Sequence, residues 1–394
     1  MAGKEEHNGH TDGRDDEQRT QVGFRERIEH FTWANFTCTQ STGAIAILLS
    51  ETPHQFNGLQ TAGVVVFILN LVLFVLFCAA MMTRFVLHPY TIKKSLTTTP
   101  EAFFIGPFFL SIATIIIGME RFGVPHAGPW LIVAIRVLFW MYAACTLIYS
   151  TLIPIVIFHR RLDVFKINPA IFLTAFNTML TGTIAASIAE MQPPVQRLPI
   201  IVAGIAFQGL GWILSLIYLP WYIGSMWVSG MGEPDQRPGL FMPVGSAGYT
   251  IVSLIGCSQY LPQGYSYFAT HPTAVEVLQV VADWVGIFLW LFTFWLFAIA
   301  LVANLPVMFP YKEGRFQVQM GFKLSWWGII FPNVGFTIAT GFIGNVLGSN
   351  AIQWVCTIMT ILLFAFWLMD LTLHLKAIIT GRIMWPGKDE DATK

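Results

Sequence analysis

The sequence predicts an all-α integral membrane protein with ten transmembrane helices arranged as five hairpins, the odd helices forming an inner ring around a central pore. Three observations carry this. Hydrophobic residues make up 55% of the 394 and charged residues only 11%, about half the charge of a soluble protein of this size, and the apolar residues fall in long runs. Lys and Arg are divided very unequally between alternate loops. Polar residues recur at helical spacing in every second run.

From the N-terminus, residues 1–30 are mostly Glu, Asp, Arg, His, Gly and Gln, a composition that cannot bury a core. They read as a disordered cytoplasmic tail without a cleavable signal, with a short juxtamembrane helix within residues 19–30. A spanning helix needs about 20 apolar residues. Ten such segments follow, near 31–51, 60–83, 101–119, 128–157, 167–189, 197–228, 237–260, 273–303, 325–346 and 350–377. Residues 31–377 thus form the transmembrane domain, and residues 378–394 a cytoplasmic C-terminal tail. This count places 19 of the 22 Lys and Arg on the side that carries both termini; the opposite loops hold only Arg121 and Arg197, and Arg136 lies within span 4. The positive-inside bias makes both termini cytoplasmic.

The spans alternate in character. Small or polar residues fill 9 of 14 positions in 36–49, 9 of 15 in 172–186 and 8 of 15 in 331–345, against 2 of 15 in 63–77 and 3 of 15 in 284–298. Span 6, with Gln208, Gly209 and Gly211, departs from that rule. Each odd span carries a stripe at spacings of three and four: Asn35, Thr39 and Thr42; Ser111 and Thr114; Thr174, Thr178 and Thr181; Ser246, Thr250 and Ser253; Asn333, Thr337 and Thr340. One striped and one greasy helix per hairpin suggests the two rings, with the stripes as candidate pore-lining and substrate-binding residues. A single Ser or Thr in a membrane helix also bonds back to the preceding turn or joins neighbouring helices, so both readings stand residue by residue. Pro107, Pro169, Pro243 and Pro332 lie in or near odd spans. Proline is tolerated there where neighbours or water satisfy freed backbone groups, and the half-helix starts it creates suit an anion.

Intramembrane charge costs about 2.5 to 3.5 kcal/mol on insertion scales, so each ionisable group in a span is a candidate. Arg136, Asp283 and the pair Asp370 and His374 sit on even spans near helix ends, where snorkelling or local pairing accounts for most of them. Arg136 is the electrostatic candidate, either bridging Glu120 across the outer loop or raising the potential near the pore mouth. Glu120 and Glu190 close the outer ends of spans 3 and 5. The central parts of the odd spans contain no Asp, Glu, Lys, Arg or His. That disfavours a cation pathway, a protein-borne proton relay and an intramembrane hydrolase or metalloenzyme, and it leaves hydroxyls, amides and backbone dipoles for a loosely held anion. Cys38, Cys78, Cys145, Cys257 and Cys356 are scattered singly, no phosphate-binding loop is present and the net charge is zero. No metal, cofactor, nucleic acid or catalysis is expected. The sequon Asn35-Phe36-Thr37 falls at the start of a span and is discounted.

Several runs together carry a family likeness: His30-Phe31-Thr32-Trp33 with Cys38-Thr39 and Ser41-Thr42-Gly43, Phe207-Gln208-Gly209-Leu210-Gly211, Arg237-Pro238-Gly239-Leu240-Phe241-Met242, Phe331-Pro332-Asn333-Val334-Gly335-Phe336 and Pro386-Gly387-Lys388-Asp389-Glu390-Asp391-Ala392. From about residue 28 onward the chain resembles the fungal malic acid and C4-dicarboxylate transporters of the tellurite-resistance/dicarboxylate transporter family, relatives of the plant slow anion channels and the bacterial tellurite-resistance protein. The resemblance implies five hairpins in quasi-symmetric array around a pore blocked by a phenylalanine of span 9, which Phe331 matches. It further implies a multi-pass plasma-membrane protein that moves a small dicarboxylate, malate and with it succinate or fumarate, as a channel-like or uncoupled carrier. Homologues form trimers, and whether this chain is a homo-oligomer, trimer or dimer, stays open. Sister members export sulfite or conduct small inorganic anions, whereas the Phe331 run and the C-terminal run look like the malate branch. A non-conducting membrane receptor or sensor is the alternative from another class, disfavoured by ten spans with five stripes.

Overall fold

The computed structural model describes residues 22–160, 168–308, 311–312, 315–316 and 321–387; of the tails expected at residues 1–30 and 378–394, residues 1–21 and 388–394 lie outside the described residues. The helices run in the order α1 (Phe24–Glu29), α2 (Phe36–Glu51), α3 (Leu59–Leu87), α4 (Tyr90–Thr97), α5 (Ile105–Gly118), α6 (Trp130–Arg160), α7 (Phe172–Ile188), α8 (Pro194–Ser229), α9 (Met242–Gln259), α10 (Tyr267–Thr270), α11 (Ala274–Met308), α12 (Ile330–Val346) and α13 (Asn350–Ile379). Between α11 and α12, two-residue strands β1 (Tyr311–Lys312) and β2 (Arg315–Phe316) pair antiparallel, Tyr311 opposite Phe316. Spans 1, 3, 5, 7 and 9 are α2, α5, α7, α9 and α12. The even spans are α3, α6, α8, α11 and α13.

Among the described residues, nine helical segments are long and apolar enough to cross a membrane, the five even spans and four of the odd ones. The exception is the first, where Thr37, Thr39, Gln40, Ser41, Thr42 and Gly43 dilute the apolar residues, yet nearly the whole of α2 is buried. Burial separates the two sets. Every residue of α7 except Ser187 is buried, while α3 and α11 present Val65, Val72, Phe288 and Leu291 more than half exposed. Lipid is as apolar as Leu, so greasy faces are stable outside and the polar small-residue helices must be enclosed. The enclosed five touch in a closed cycle, α2 to α5 to α7 to α9 to α12 and back to α2, and the outer five lie over them: α3 on α2, α6 and α8 on α7, α11 on α9, α13 on α12.

Each inner helix starts in the same way. A 3-10 turn precedes the α-helix at Trp33–Asn35, Glu101–Phe104, Pro169–Ile171, Pro234–Phe241 and Leu324–Ile329. Pro107, Pro243 and Pro332 fall in the first turn of α5, α9 and α12, and Pro169 opens the turn before α7. First-turn N–H groups have no intrahelical partner, so proline costs little there. The odd-span prolines therefore mark where 3-10 turns pass into α-helix.

Close packing of the inner helices depends on absent side chains. A Cβ on Gly248 would lie 2.8 Å from the Phe336 backbone nitrogen, and one on Gly335 would lie 2.8 Å from the Tyr249 ring. The two glycines let α9 and α12 approach to backbone contact, where dispersion replaces the missing hydrophobic drive.

The chain ends meet. Arg27 Nη2 donates to the Ile378 carbonyl at 2.6 Å and its guanidinium lies 5.6 Å from the Trp385 ring centroid. Helix α1 is the short helix expected within residues 19–30, and it is tied to the end of α13, so both ends of the described chain leave from one end of the bundle. A buried ion pair missed in the sequence, Arg84 to Glu101 at 2.7 Å, joins α3 to the turn before α5.

Candidate functional site

All five inner helices contribute to one cavity of about 210 Å³. Its wall is a face of each helix at helical spacing: Ala44, Ile47 and Glu51 of α2; Thr114 and Ile117 of α5 with Arg121 just beyond; Leu180, Thr183 and Ser187 of α7; Tyr249, Val252 and Gly256 of α9; Val334, Ile338 and Phe342 of α12. In each helix the lining runs from a position in its first half or middle, such as Val334, Ala44, Leu180 or Tyr249, toward its C-terminal end, so the five run parallel and the cavity is a vestibule that opens at their C-terminal end. Gln259 and Asn345 are exposed at its rim, whereas Ala44, Thr114, Leu180, Tyr249 and Val334 are buried deep within it.

Tyr249 lies at the deep end, and Phe331 packs against it. Their ring centroids are 5.0 Å apart with planes 33° from parallel, and the Tyr249 hydroxyl donates to the Phe331 carbonyl at 3.0 Å. Phe331 is fully buried, one turn before the vestibule residue Val334. Phe336 points elsewhere, its ring 5.6 Å from Trp290 and 5.8 Å from Phe297 of α11. Tyr249 went unnoticed in the sequence because it interrupts the Ser246, Thr250, Ser253 stripe. Its being the one aromatic residue of α9 was the available signal.

Of the eleven stripe residues singled out as pore-lining or substrate-binding, Thr114 is in the vestibule wall. The others are buried between helices. Thr42, Thr174, Thr178, Ser246, Thr250 and Thr337 donate to carbonyls three or four residues earlier at 2.6–2.8 Å. Asn35 and Asn333 do the same through Nδ2, at 3.0 and 2.6 Å. Thr39 and Ser111 share a hydrogen bond of 2.7 Å that joins α2 to α5. Several also receive a donor from an outer helix: Trp367 Nε1 to Thr42 at 3.1 Å, Gln208 Nε2 to Thr250 at 2.8 Å, and Trp290 Nε1 to the neighbouring stripe residue Thr340 at 2.9 Å. A hydroxyl that donates within its own helix still offers lone pairs. Thr42, Thr250 and Thr340 thus accept from the outer ring, and the bond to Thr250 accounts for Gln208 in span 6.

The ionisable candidates are redistributed. Arg136 does not bridge Glu120; its Nη1 lies 3.5 Å from Gln192 Oε1, while Glu120 is held by Arg121 at 3.1 Å and by Ser187 Oγ at 2.7 Å. Asp370 and His374 do not snorkel. Both are buried, His374 Nδ1 accepts from Trp327 Nε1 at 3.2 Å, and the two Asp370 carboxylate oxygens have no hydrogen-bond partner among the described residues. Among the described residues no cluster of three His, Cys, Asp or Glu side chains has metal-binding geometry.

Comparison with known proteins places this architecture. Residues 30–375 match the family model SLAC1, voltage-dependent anion channel. The chain is 32% identical to the malic acid transport protein of Schizosaccharomyces pombe, over 94% of this chain and 84% of that one. It is 31% identical to a putative malic acid transport protein of the same organism, over 93% and 84%. It is 24% identical to the sulfite efflux pump SSU1 of Trichophyton rubrum, over 87% and 89%.

Proposed function

This multi-pass membrane chain belongs to the SLAC1 family of voltage-dependent anion channels, and from that premise we propose that it carries malate, and with it succinate and fumarate, through the path between its five inner helices. The observation that supports this reading most is the vestibule, walled by all five parallel helices and ending at Tyr249, against which Phe331 packs. Phe331 is the gate in this proposal: an apolar ring in a narrow path excludes water and strips a passing anion of hydration, closing it without a charged lock. Thr114 lines the path, and the other stripe hydroxyls hold the inner helices against each other and the outer ring. Transport is channel-like or uncoupled, the protein is not an enzyme, and it sits in the plasma membrane with both termini cytoplasmic. A homo-oligomer, trimer or dimer, is compatible with the lipid-facing outer ring.

The 31% and 32% identities to proteins named for malic acid transport favour malate. The 24% identity to sulfite efflux pumps supports the second reading, a sulfite or small inorganic anion exporter. Flux competition among malate, succinate, sulfite and chloride, in vesicles containing only this protein, separates them. Malate flux inhibited by succinate is the expected result. Sulfite or chloride flux without malate flux assigns the second reading, and no anion flux leaves a receptor or sensor.

A further inference from the structure

The mouth of the vestibule holds a guanidinium already occupied by carboxylates. Arg121 follows Thr114 and Ile117 along the vestibule face and is the positive charge among its lining residues. Its Nη2 pairs with Glu51 at the end of α2, and its Nε lies 3.1 Å from Glu120 Oε2. Glu120 in turn accepts from Ser187 Oγ of α7. The Glu120 side chain is 8% exposed, that of Glu51 19% and that of Arg121 36%, so the guanidinium is the part of the cluster most open to the cavity.

An anion approaching this mouth meets an unfavourable field. Five helix C-termini converge on the vestibule, each with a partial charge of about −0.5. Glu51, Glu120 and the nearby Glu190 add three carboxylates, and Tyr260, at the end of α9, bonds to Glu190. Arg121 is the group that can bring a negative charge in, and its fork matches a carboxylate bidentately. Glu51 and Glu120 are chemically the same ligand as the incoming substrate. We propose that Arg121 captures the substrate carboxylate at the vestibule mouth, and that Glu51 and Glu120 are exchangeable stand-ins that hold the guanidinium in position while the site is empty.

The proposal rests on the anion-transport reading.

The test is the apparent KM for malate applied from the vestibule side of vesicles at neutral pH, with thermal unfolding in detergent as the control for folding. Losing a charge-assisted bond, about 1.5 to 3 kcal/mol, makes Arg121→Gln raise the KM about 10- to 100-fold. Arg121→Lys recovers part of that loss. Glu51→Gln and Glu120→Gln each remove a competitor for the guanidinium and lower the KM. The double variant Arg121→Gln with Glu51→Gln, which leaves fewer carboxylates orphaned, keeps the raised KM. A folded Arg121→Gln protein with the original KM, or one that loses only maximal rate, overturns the proposal. If the unsubstituted protein moves sulfite or chloride and not malate, the malate reading fails and the same KM comparison with that anion decides the role of Arg121; if it moves no anion, both fall.

Discussion

Phe331 and Phe336 belong to the same helix and face different neighbours. Phe331 packs at a tilt against Tyr249, which closes the foot of the vestibule, and Phe336 sits among Trp290 and Phe297 of the outer ring. Phe331→Ala is expected to raise basal anion flux and blur discrimination between malate and smaller anions. Phe336→Ala is expected to lower stability by about 3 to 5 kcal/mol with selectivity retained, because it leaves a cavity between α11 and α12. Tyr249→Phe removes the bond to the Phe331 carbonyl, costs about 0.5 to 1.5 kcal/mol and raises flux less than Phe331→Ala. Flux at equal surface expression, together with thermal unfolding, checks all three. Unchanged flux and selectivity in a folded Phe331→Ala protein would make Phe331 a packing residue. At this scale the sequence was informative about Phe331 only through family likeness, since nothing separates one of 33 phenylalanines from the others by composition. Arg121 and Glu51 were legible as loop charges but not as a cluster, because the loops that end α2 and α5 converge only in three dimensions.

At the scale of the element, the inner helices are held by donors from outside. Trp367 and Trp290 each place an indole N–H on a threonine of an inner helix, Thr42 and Thr340. Valine at either position keeps the shape and strands a buried N–H, so Thr42→Val and Thr340→Val are expected to destabilise by about 1 to 3 kcal/mol while flux per folded protein stays near that of the original. Loss of flux in a fully stable variant would instead return the stripes to the pore wall. The period of the stripes was correct and their direction ambiguous. Spacings of three and four say that residues share a face, and they do not say which neighbour that face meets. The vestibule faces are largely apolar apart from their outer ends, Ala44-Ile47-Glu51 and Thr114-Ile117-Arg121 among them, so a search for polar stripes passes over them.

The molecule as a whole is a cycle of five enclosed helices under five lipid-facing ones, with its N- and C-terminal segments joined at one end through Arg27, Ile378 and Trp385. The described ends share a side in the structure, and the excess of Lys and Arg points to the cytoplasm. Tags on either terminus should be reached in cells only after permeabilisation, while a tag in the loop at residues 52–58 should be reached in intact cells. Surface labelling of a terminus in intact cells would overturn this orientation.

What the sequence determined by itself was the bilayer as solvent, the number and limits of the helices to within a few residues, and the alternation of small polar with greasy spans. Those are properties of each segment against lipid, set by local composition and length. Tertiary structure alone decided which face of each inner helix meets the cavity, that the prolines open helices behind 3-10 turns, that Asp370 and His374 are enclosed, and that Glu51, Glu120 and Arg121 meet. Each of these depends on how the helices rotate against each other. In a membrane that rotation is set by close contacts such as Gly248 against Phe336 and by donor and acceptor pairs such as Trp367 with Thr42, which join residues far apart in the chain.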